Sequence, residues 1–314
     1  MPATVRWRRV IPGLALGVSL AAWAGPIPIP PPLPKPTPSP RAAELRPLVS
    51  TSEAPWGLTP DILAPLYERA ATYAGYAQRF TCDEDARRAE YDGEGSVSRE
   101  EARSYAYILQ RGPSGLGIRE LRQELTADGK IKAGEVQDEE PFPPAYLWVF
   151  LFSRFNEPYF SYRLVADRFD GFDWVYEIEF RGSLPFSSGR DIREWQGTVL
   201  VDAVTHAPLE IEAEPSSQVE RIQELYRKYQ SSFNLLGGRT APPPLGYRAW
   251  VQFRYRDPES GLLFPTELRY DTFRAVTTSR VLPVRASTRT YTKYKIYKVS
   301  ESQQLAPPGS GLGK

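Results

Sequence analysis

The chain has one histidine and one cysteine among its 314 residues, and these are its most chemically distinctive side chains. A Ser-His-Asp hydrolase would have to use His206, yet no Gly-x-Ser-x-Gly elbow presents a serine. A nucleophile–base pair of Cys82 and His206 is formally available, but no motif surrounds either residue. We therefore expect His206 to be an exposed turn residue and Cys82 a buried, inert thiol, with no catalytic residues and no enzyme activity.

Metal and phosphate sites are also not predicted. One His and one Cys cannot build a zinc site of the usual nitrogen and sulfur type. The acidic run Asp83–Asp85 lacks the alternate spacing of a calcium loop and is interpreted as solvated charge at a helix end. Gly237 and Gly238 are not part of a phosphate-binding motif. The sequence thus predicts no metal and no cofactor, and leaves a carboxylate-dependent hydrolase, using two of 38 acidic residues, as an alternative.

Aromatic side chains carry the positive signal. The chain has 18 Tyr, 14 Phe and 7 Trp, and nearly every position of Tyr146–Phe152 (YLWVFLF) is apolar, so this segment has no face left for solvent. Such a segment must be buried, cover a cavity or touch a partner. A filled core with a tucked loop is the competing interpretation.

The N-terminus has the features of an export signal. Arg6, Arg8 and Arg9 precede an apolar stretch that ends in Ala-Trp-Ala, which predicts a signal peptide over residues 1–24. The stretch of ~15 residues is shorter than the ~20 that span a bilayer, which favours a cleaved signal over an uncleaved anchor. We expect a periplasmic or otherwise exported protein. Its mature chain, with 36 basic and 38 acidic residues, lacks the basic excess of a nucleic-acid binder.

Proline and glycine mark the remaining boundaries. Residues 25–54 form a Pro-rich linker, in which Pro26–Pro40 (PIPIPPPLPKPTPSP) predicts an extended polyproline II spacer. A ligand for a proline-binding module is the alternative for that segment. A single folded domain is expected over residues 55–305, and a disordered tail over residues 306–314.

Periodicity predicts the elements of the domain. Thr59 as N-cap and Pro60 as first helical residue begin an apolar stripe that runs to Phe80, with Pro65 as an interruption. Ala145–Phe155 and Ser217–Ser231 are further helix candidates. Alternation with period two predicts strands around Tyr105–Leu109, Ile118–Leu125, Tyr162–Ala166, Trp174–Phe180, Val199–Val201, Leu209–Ile211, Val251–Tyr255, Leu268–Tyr270 and Tyr291–Tyr297. Strands joined as hairpins indicate an α+β, mainly antiparallel β fold.

Three segments carry a family resemblance: Gly197–Glu214 (GTVLVDAVTHAPLEIEAE), Leu262–Tyr270 (LLFPTELRY) and Tyr291–Val299 (YTKYKIYKV). With the opening helix, they make the chain resemble the LolA/LolB-like lipoprotein-carrier superfamily. The resemblance implies a strongly curved sheet or incomplete barrel with helices as plug and lid. It also implies a periplasmic carrier that binds lipid or lipoprotein acyl chains in an apolar cavity. The absence of a Cys near the cleavage site makes a soluble carrier the closer analogue.

The resemblance also implies roles for individual residues. Thr59–Phe80 would be the plug, and Arg119 or Arg122 would lock the lid. The lid would be Ala145–Phe155, with Tyr146, Trp148, Phe150 and Phe152, or Ser217–Ser231, with Ile222 and Leu225. The cavity would be lined by Tyr105, Tyr107, Tyr176, Ile178, Phe180, Phe253 and Leu268. An envelope protein is a possible partner, membrane contact would be peripheral or transient, and a filled-core interaction module of the cell envelope is the alternative function.

Overall fold

The structure is a computed structural model that describes residues 55–76, 80–111, 118–132, 145–170, 173–183, 194–216, 218–235, 245–275 and 281–297. The predicted signal peptide, Pro-rich linker and C-terminal tail lie outside these residues, as does residue 171 of one predicted turn. All described residues belong to one compact unit.

Helix α1 covers Pro60–Tyr76 and begins where the sequence predicts. The Thr59 carbonyl accepts hydrogen bonds from the N–H groups of Ile62 and Leu63, at 3.1 and 3.0 Å. A hydrogen bond from the Thr59 side chain lowers the pKa of Asp61, whose charge also suits the positive end of the helix dipole. Pro65 lies inside the helix without ending it. The helix buries Ile62, Leu66, Tyr67, Ala70 and Tyr73 along one face.

Ten strands form one sheet, as the mainly antiparallel prediction requires. They are β1 (Phe80–Tyr91), β2 (Val97–Arg111), β3 (Ile118–Glu124), β4 (Phe160–Asp170), β5 (Asp173–Ser183), β6 (Glu194–Asp202), β7 (Pro208–Pro215), β8 (Leu245–Arg256), β9 (Leu263–Ala275) and β10 (Val281–Ile296). Their spatial order is β3-β2-β1-β10-β9-β8-β7-β6-β5-β4, and every named pair is antiparallel. The sheet is therefore open, with β3 and β4 as its edges. Gly57 pairs in parallel with Arg163 on the β4 edge.

Strand β1 was not predicted from the sequence. Its residues include the acidic run Asp83–Asp85, which was interpreted as helix-end charge, so that interpretation is wrong. Helix α1 ends at Tyr76, and β1 begins at Phe80, where the predicted helix was to end. The apolar alternation of β1 covers only Phe80 and Cys82 before Glu84 takes the next inward position. A buried charge in place of a hydrophobic residue hid the strand.

The two faces of the sheet pack against different helices. We call inner face the one covered by α1 and by α2 (Ala145–Val149), and outer face the other. Helix α3 (Gln218–Leu235) packs on the outer face, where Val219 and Ile222 contact Phe273 of β9. Because side chains alternate along a strand, Phe273 points away from the inner-face residues Leu268 and Tyr270. The sheet is thus buried on both faces near α3.

Candidate ligand-binding face

The structure brings the seven predicted cavity residues together on the inner face. They are Tyr105 and Tyr107 of β2, Tyr176, Ile178 and Phe180 of β5, Phe253 of β8 and Leu268 of β9. All but Tyr176 are buried, and Tyr176 packs half-buried against the same core. Whether these residues line a ligand cavity stays a prediction.

Helix α2 inserts large aromatic side chains into this face. The Trp148 ring packs edge-on against Trp195 of β6, at 5.4 Å between centroids, and lies 6.2 Å from Phe180. Tyr146 stacks on Tyr107 at 5.6 Å and contacts Phe80 at 4.9 Å. The lid candidates Tyr146 and Trp148 therefore occupy the inner face itself, in direct contact with two of the predicted cavity residues.

The segment after α2 is fixed by hydrogen bonds. The Asn156 amide donates to the Phe150 carbonyl at 2.8 Å, and the Tyr162 hydroxyl donates to the Leu151 carbonyl at 2.6 Å. Phe152 packs against Tyr162 at 5.1 Å. The lid candidates Phe150 and Phe152 are thus buried where the segment joins the 3₁₀ helix Arg154–Tyr159 and β4.

The second lid candidate lies elsewhere. Ile222 of α3 is buried on the outer face, and Leu225 is exposed. The structure does not bring these two residues together with the predicted cavity residues. Of the two segments, only Ala145–Phe155 covers the inner face.

A buried charge network on the inner face escaped the sequence analysis. Arg122 of β3 binds both carboxylate oxygens of Glu84 on β1, from Nε at 2.7 Å and from Nη2 at 2.9 Å. Its Nη1 also contacts Glu120 at 2.8 Å, and the Tyr107 hydroxyl donates to the other Glu120 oxygen at 2.5 Å. Burial lowers the pKa of Arg122, but the two carboxylates outweigh it and hold that pKa well above its ordinary value. The inner face is therefore ionic at its β1–β3 end.

Arg122 was one of the two candidates for a lid-locking arginine. Its guanidinium lies 5.1 Å from the centre of the Tyr107 ring, and Tyr107 stacks on Tyr146 of α2. Arg122 thus reaches α2 through Tyr107. The side chain of the other candidate, Arg119, lies outside the described part of the chain. The signal that could have found the network is an acidic and a basic residue at inward positions of the two strands that flank β2.

The polar groups of the buried aromatic residues are only partly satisfied. The hydroxyls of Tyr146 and Tyr294 bond to each other at 2.8 Å, and Tyr294 also donates to the Pro265 carbonyl. The indole N–H groups of Trp148 and Trp195 have no hydrogen-bond partner among the described residues. A buried donor without an acceptor costs about 1–3 kcal/mol, so these two groups favour an acceptor when one can enter.

A small pocket lies between α1, α2 and the turn that joins β6 to β7. Its lining includes Leu66 and Tyr73 of α1, Val149 and Phe152 of the α2 segment, and His206 of the turn. Arg69 of α1 donates to the Thr205 carbonyl at 2.6 Å and ties the helix to the turn. The pocket volume is about 10 Å³, which is room for one water molecule.

The two candidate chemical residues have ordinary surroundings. Burial raises the pKa of the Cys82 thiol, which therefore stays protonated and unreactive near neutral pH. His206 is half-buried in the pocket wall, with its ring 6.2 Å from Tyr176 and a backbone φ of 53°. Within the described residues, no group of three or more His, Cys, Asp and Glu side chains is arranged to hold a metal ion. No helix there has the length and apolar character needed to cross a membrane.

Three solved structures resemble this chain. A DUF1329 family protein from Desulfovibrio piger is 10% identical over 75% of this chain and 93% of its own, with a TM-score of 0.39. A LolA superfamily protein from Nitrosomonas europaea, NE2245, is 13% identical over 76% and 96%, with a TM-score of 0.35. The MucA/MucB complex of Pseudomonas aeruginosa is 9% identical over 76% and 99%, with a TM-score of 0.19.

No family model and no curated protein matches the chain. One of the three structures belongs to the LolA superfamily, which the sequence also resembles. The TM-scores lie below 0.5, so these similarities carry no argument about the function of this chain.

Proposed function

We propose that this protein is an exported carrier that binds one acyl chain of a lipid or lipoprotein on its inner face and performs no covalent chemistry. The observation that carries the proposal is the position of α2. Its aromatic side chains fill the inner face, yet the helix has only five residues and is held there by side-chain packing and the Tyr146–Tyr294 hydrogen bond, without strand pairing. An acyl chain would take the place of these side chains when α2 moves outward.

The energetics of this exchange are balanced. Removing a methylene group from water gains ~0.8 kcal/mol, so a long acyl chain replaces the burial lost by two aromatic side chains. The pocket beside His206, at about 10 Å³, is far smaller than the 300–1,000 Å³ typical of ligand sites, so binding of an acyl chain at that position requires α2 to move. The unpartnered indole group of Trp195 on β6 supports the same exchange, because an ester or carboxyl oxygen would accept its hydrogen bond.

Two variants with the same side-chain change test the proposal. Trp148→Ala removes a lid-candidate side chain of α2 from the inner face, whereas Trp250→Ala removes a half-buried indole from the outer-face side of β8. If α2 competes with the ligand, Trp148→Ala binds a fluorescent fatty acid more tightly than the wild-type protein does, and Trp250→Ala binds it equally well. Near-ultraviolet circular dichroism shows whether each variant is folded. Equal or weaker binding by a folded Trp148→Ala protein contradicts the exchange.

One observation favours a second function. The predicted cavity residues pack directly against the lid residues, as expected for the filled core of an interaction module of the cell envelope. In that case neither the wild-type protein nor Trp148→Ala takes up fatty acid. The effect of Trp148→Ala is then a loss of about 3–5 kcal/mol in the free energy of unfolding.

A further inference from the structure

Three apolar side chains are exposed together at one end of the sheet. Phe169 of β4 is 65% exposed, Trp174 of β5 is 44% exposed, and Val204 in the β6–β7 turn is 81% exposed. The Phe169 and Trp174 rings lie opposite each other on paired strands, 4.7 Å apart. The N–H of Ala203 donates to the Trp174 carbonyl at 2.9 Å, which brings the turn beside the hairpin. We call Phe169, Trp174 and Val204 the apolar tip.

The local structure holds this tip in place. The Asp202 carboxylate accepts hydrogen bonds from the N–H groups of Val204 at 3.0 Å and Thr205 at 2.6 Å, which fixes the turn. The Trp174 indole donates to the Asp167 carboxylate, so its polar edge is satisfied while the ring remains exposed. The tip is therefore held by one strand pair and one hydrogen-bonded turn, and its three side chains form a single exposed apolar group.

The tip adjoins the small pocket. Trp174 and Phe169 lie on the inner-face side of their strands, in line with Tyr176, and Tyr176 contacts His206 in the pocket wall. Val204 is two residues from His206 in the same turn. The exposed apolar surface thus continues from the outside of the molecule to the gap between α1, α2 and the turn.

Charge narrows the choice of partner. Arg168 precedes Phe169 in β4 and is the basic side chain of that strand beside the apolar tip. It pairs with Glu177 at 3.3 Å and Asp170 at 3.9 Å. Asp167 adds a further carboxylate. The hairpin has more acid than base, so it does not attract an anionic surface. Side chains that project from a strand pair and a turn also fit a deformable lipid surface better than they fit a rigid protein, which would need a matching recess.

We infer that the apolar tip is a docking surface for an electrically neutral lipid bilayer, where Phe169, Trp174 and Val204 enter the headgroup region. Aromatic residues with a satisfied polar edge suit that region. The inference rests on the proposed function, since it places the lipid surface at the gap through which an acyl chain would enter.

The test is flotation of the full chain with phosphatidylcholine vesicles. Phe169→Ser/Val204→Ser removes two exposed tip side chains. The matched control is Val97→Ser/Leu245→Ser, whose residues are 50% and 44% exposed at the opposite end of the sheet. The wild-type protein and the control should float with the vesicles, and the tip variant should lose more than about tenfold in partitioning. High salt and added phosphatidylglycerol should not strengthen binding.

Several results would overturn the inference: failure of the wild-type protein to float, equal flotation of the tip variant, or binding that requires anionic lipid. Fatty-acid uptake from vesicle-free solution separates the two proposals. The tip variant should retain that uptake, because Phe169 and Val204 are exposed and do not belong to the buried core that α1 and α2 cover. Loss of vesicle binding in the tip variant, with no fatty-acid uptake by any variant, would sustain the docking surface and reject the carrier function.

Discussion

Replacing Arg122 by Met tests the buried charge network of the inner face. The Arg122 side chain is 4% exposed, and its partners Glu84 and Glu120 are 1% and 10% exposed. Met keeps the length of the side chain and removes its charge. The Glu84 and Glu120 carboxylates then lose this cation, and Glu120 keeps only the hydrogen bond from the Tyr107 hydroxyl among the contacts of the network.

The magnitude follows from this burial. Breaking a buried ion pair by removing one partner costs about 3–5 kcal/mol, because the remaining charge is neither solvated nor paired. At about 2–4 °C per kcal/mol for a domain of this size, the melting temperature should fall by roughly 6–20 °C. Glu84→Leu/Arg122→Met replaces both charges with apolar groups and should recover more than half of the loss.

Urea unfolding followed by fluorescence measures these changes. Arg168→Met is the control, because its ion pair with Glu177 is exposed and should contribute less than about 1 kcal/mol. The reasoning is refuted if Arg122→Met costs no more than the control, or if the double variant is less stable than Arg122→Met.

Three further predictions follow from close packing and burial. In Gly197→Ala the new Cβ would lie 2.0 Å from the backbone oxygen of Glu212, so the free energy of unfolding should fall by about 1–3 kcal/mol or more in urea unfolding. The control Gly93→Ala, whose new Cβ would have no atom within 4 Å, should unfold like the wild-type protein. Cys82 should react with Ellman's reagent only on unfolding, because burial raises its pKa; rapid reaction of the folded protein would contradict this. Burial raises the pKa of Tyr67 to about 12 and also raises the pKa values of Tyr73 and Tyr162. Because these tyrosines ionise at lower pH in the unfolded chain, their contribution to the free energy of unfolding should be fully present below pH ~10 and should decline as the pH rises further. Unfolding measured as a function of alkaline pH tests this.

Most strands could be predicted because their inward positions are apolar and recur with period two. The β6–β7 hairpin, with Val199, Val201 and Ile211 inward, is the clearest case. Strand β1 was missed because Glu84 occupies an inward position, and a charged residue is predicted to be solvent-exposed unless its partner is known. That partner, Arg122, is 38 residues away and becomes a neighbour only through the pairing of β1, β2 and β3.

The candidate site was predictable as a set of residues and less so as an arrangement. The strand residues Tyr107, Phe180 and Phe253 share a face because alternation requires it. Helix periodicity alone does not say which face of a sheet a helix covers, so α2 and α3 were equivalent as lids. The structure separates them because β9 carries apolar residues on both faces, with Leu268 inward and Phe273 outward.

Native mass spectrometry of the purified full chain tests the central claim most directly, beside an unrelated exported protein as control. Acyl-chain binding on the inner face predicts about one acyl-bearing lipid per chain, either retained through purification or bound after addition of a fatty acid. A protein that carries no lipid and takes up none, while the control behaves the same, would contradict the carrier account and leave the filled-core interaction module.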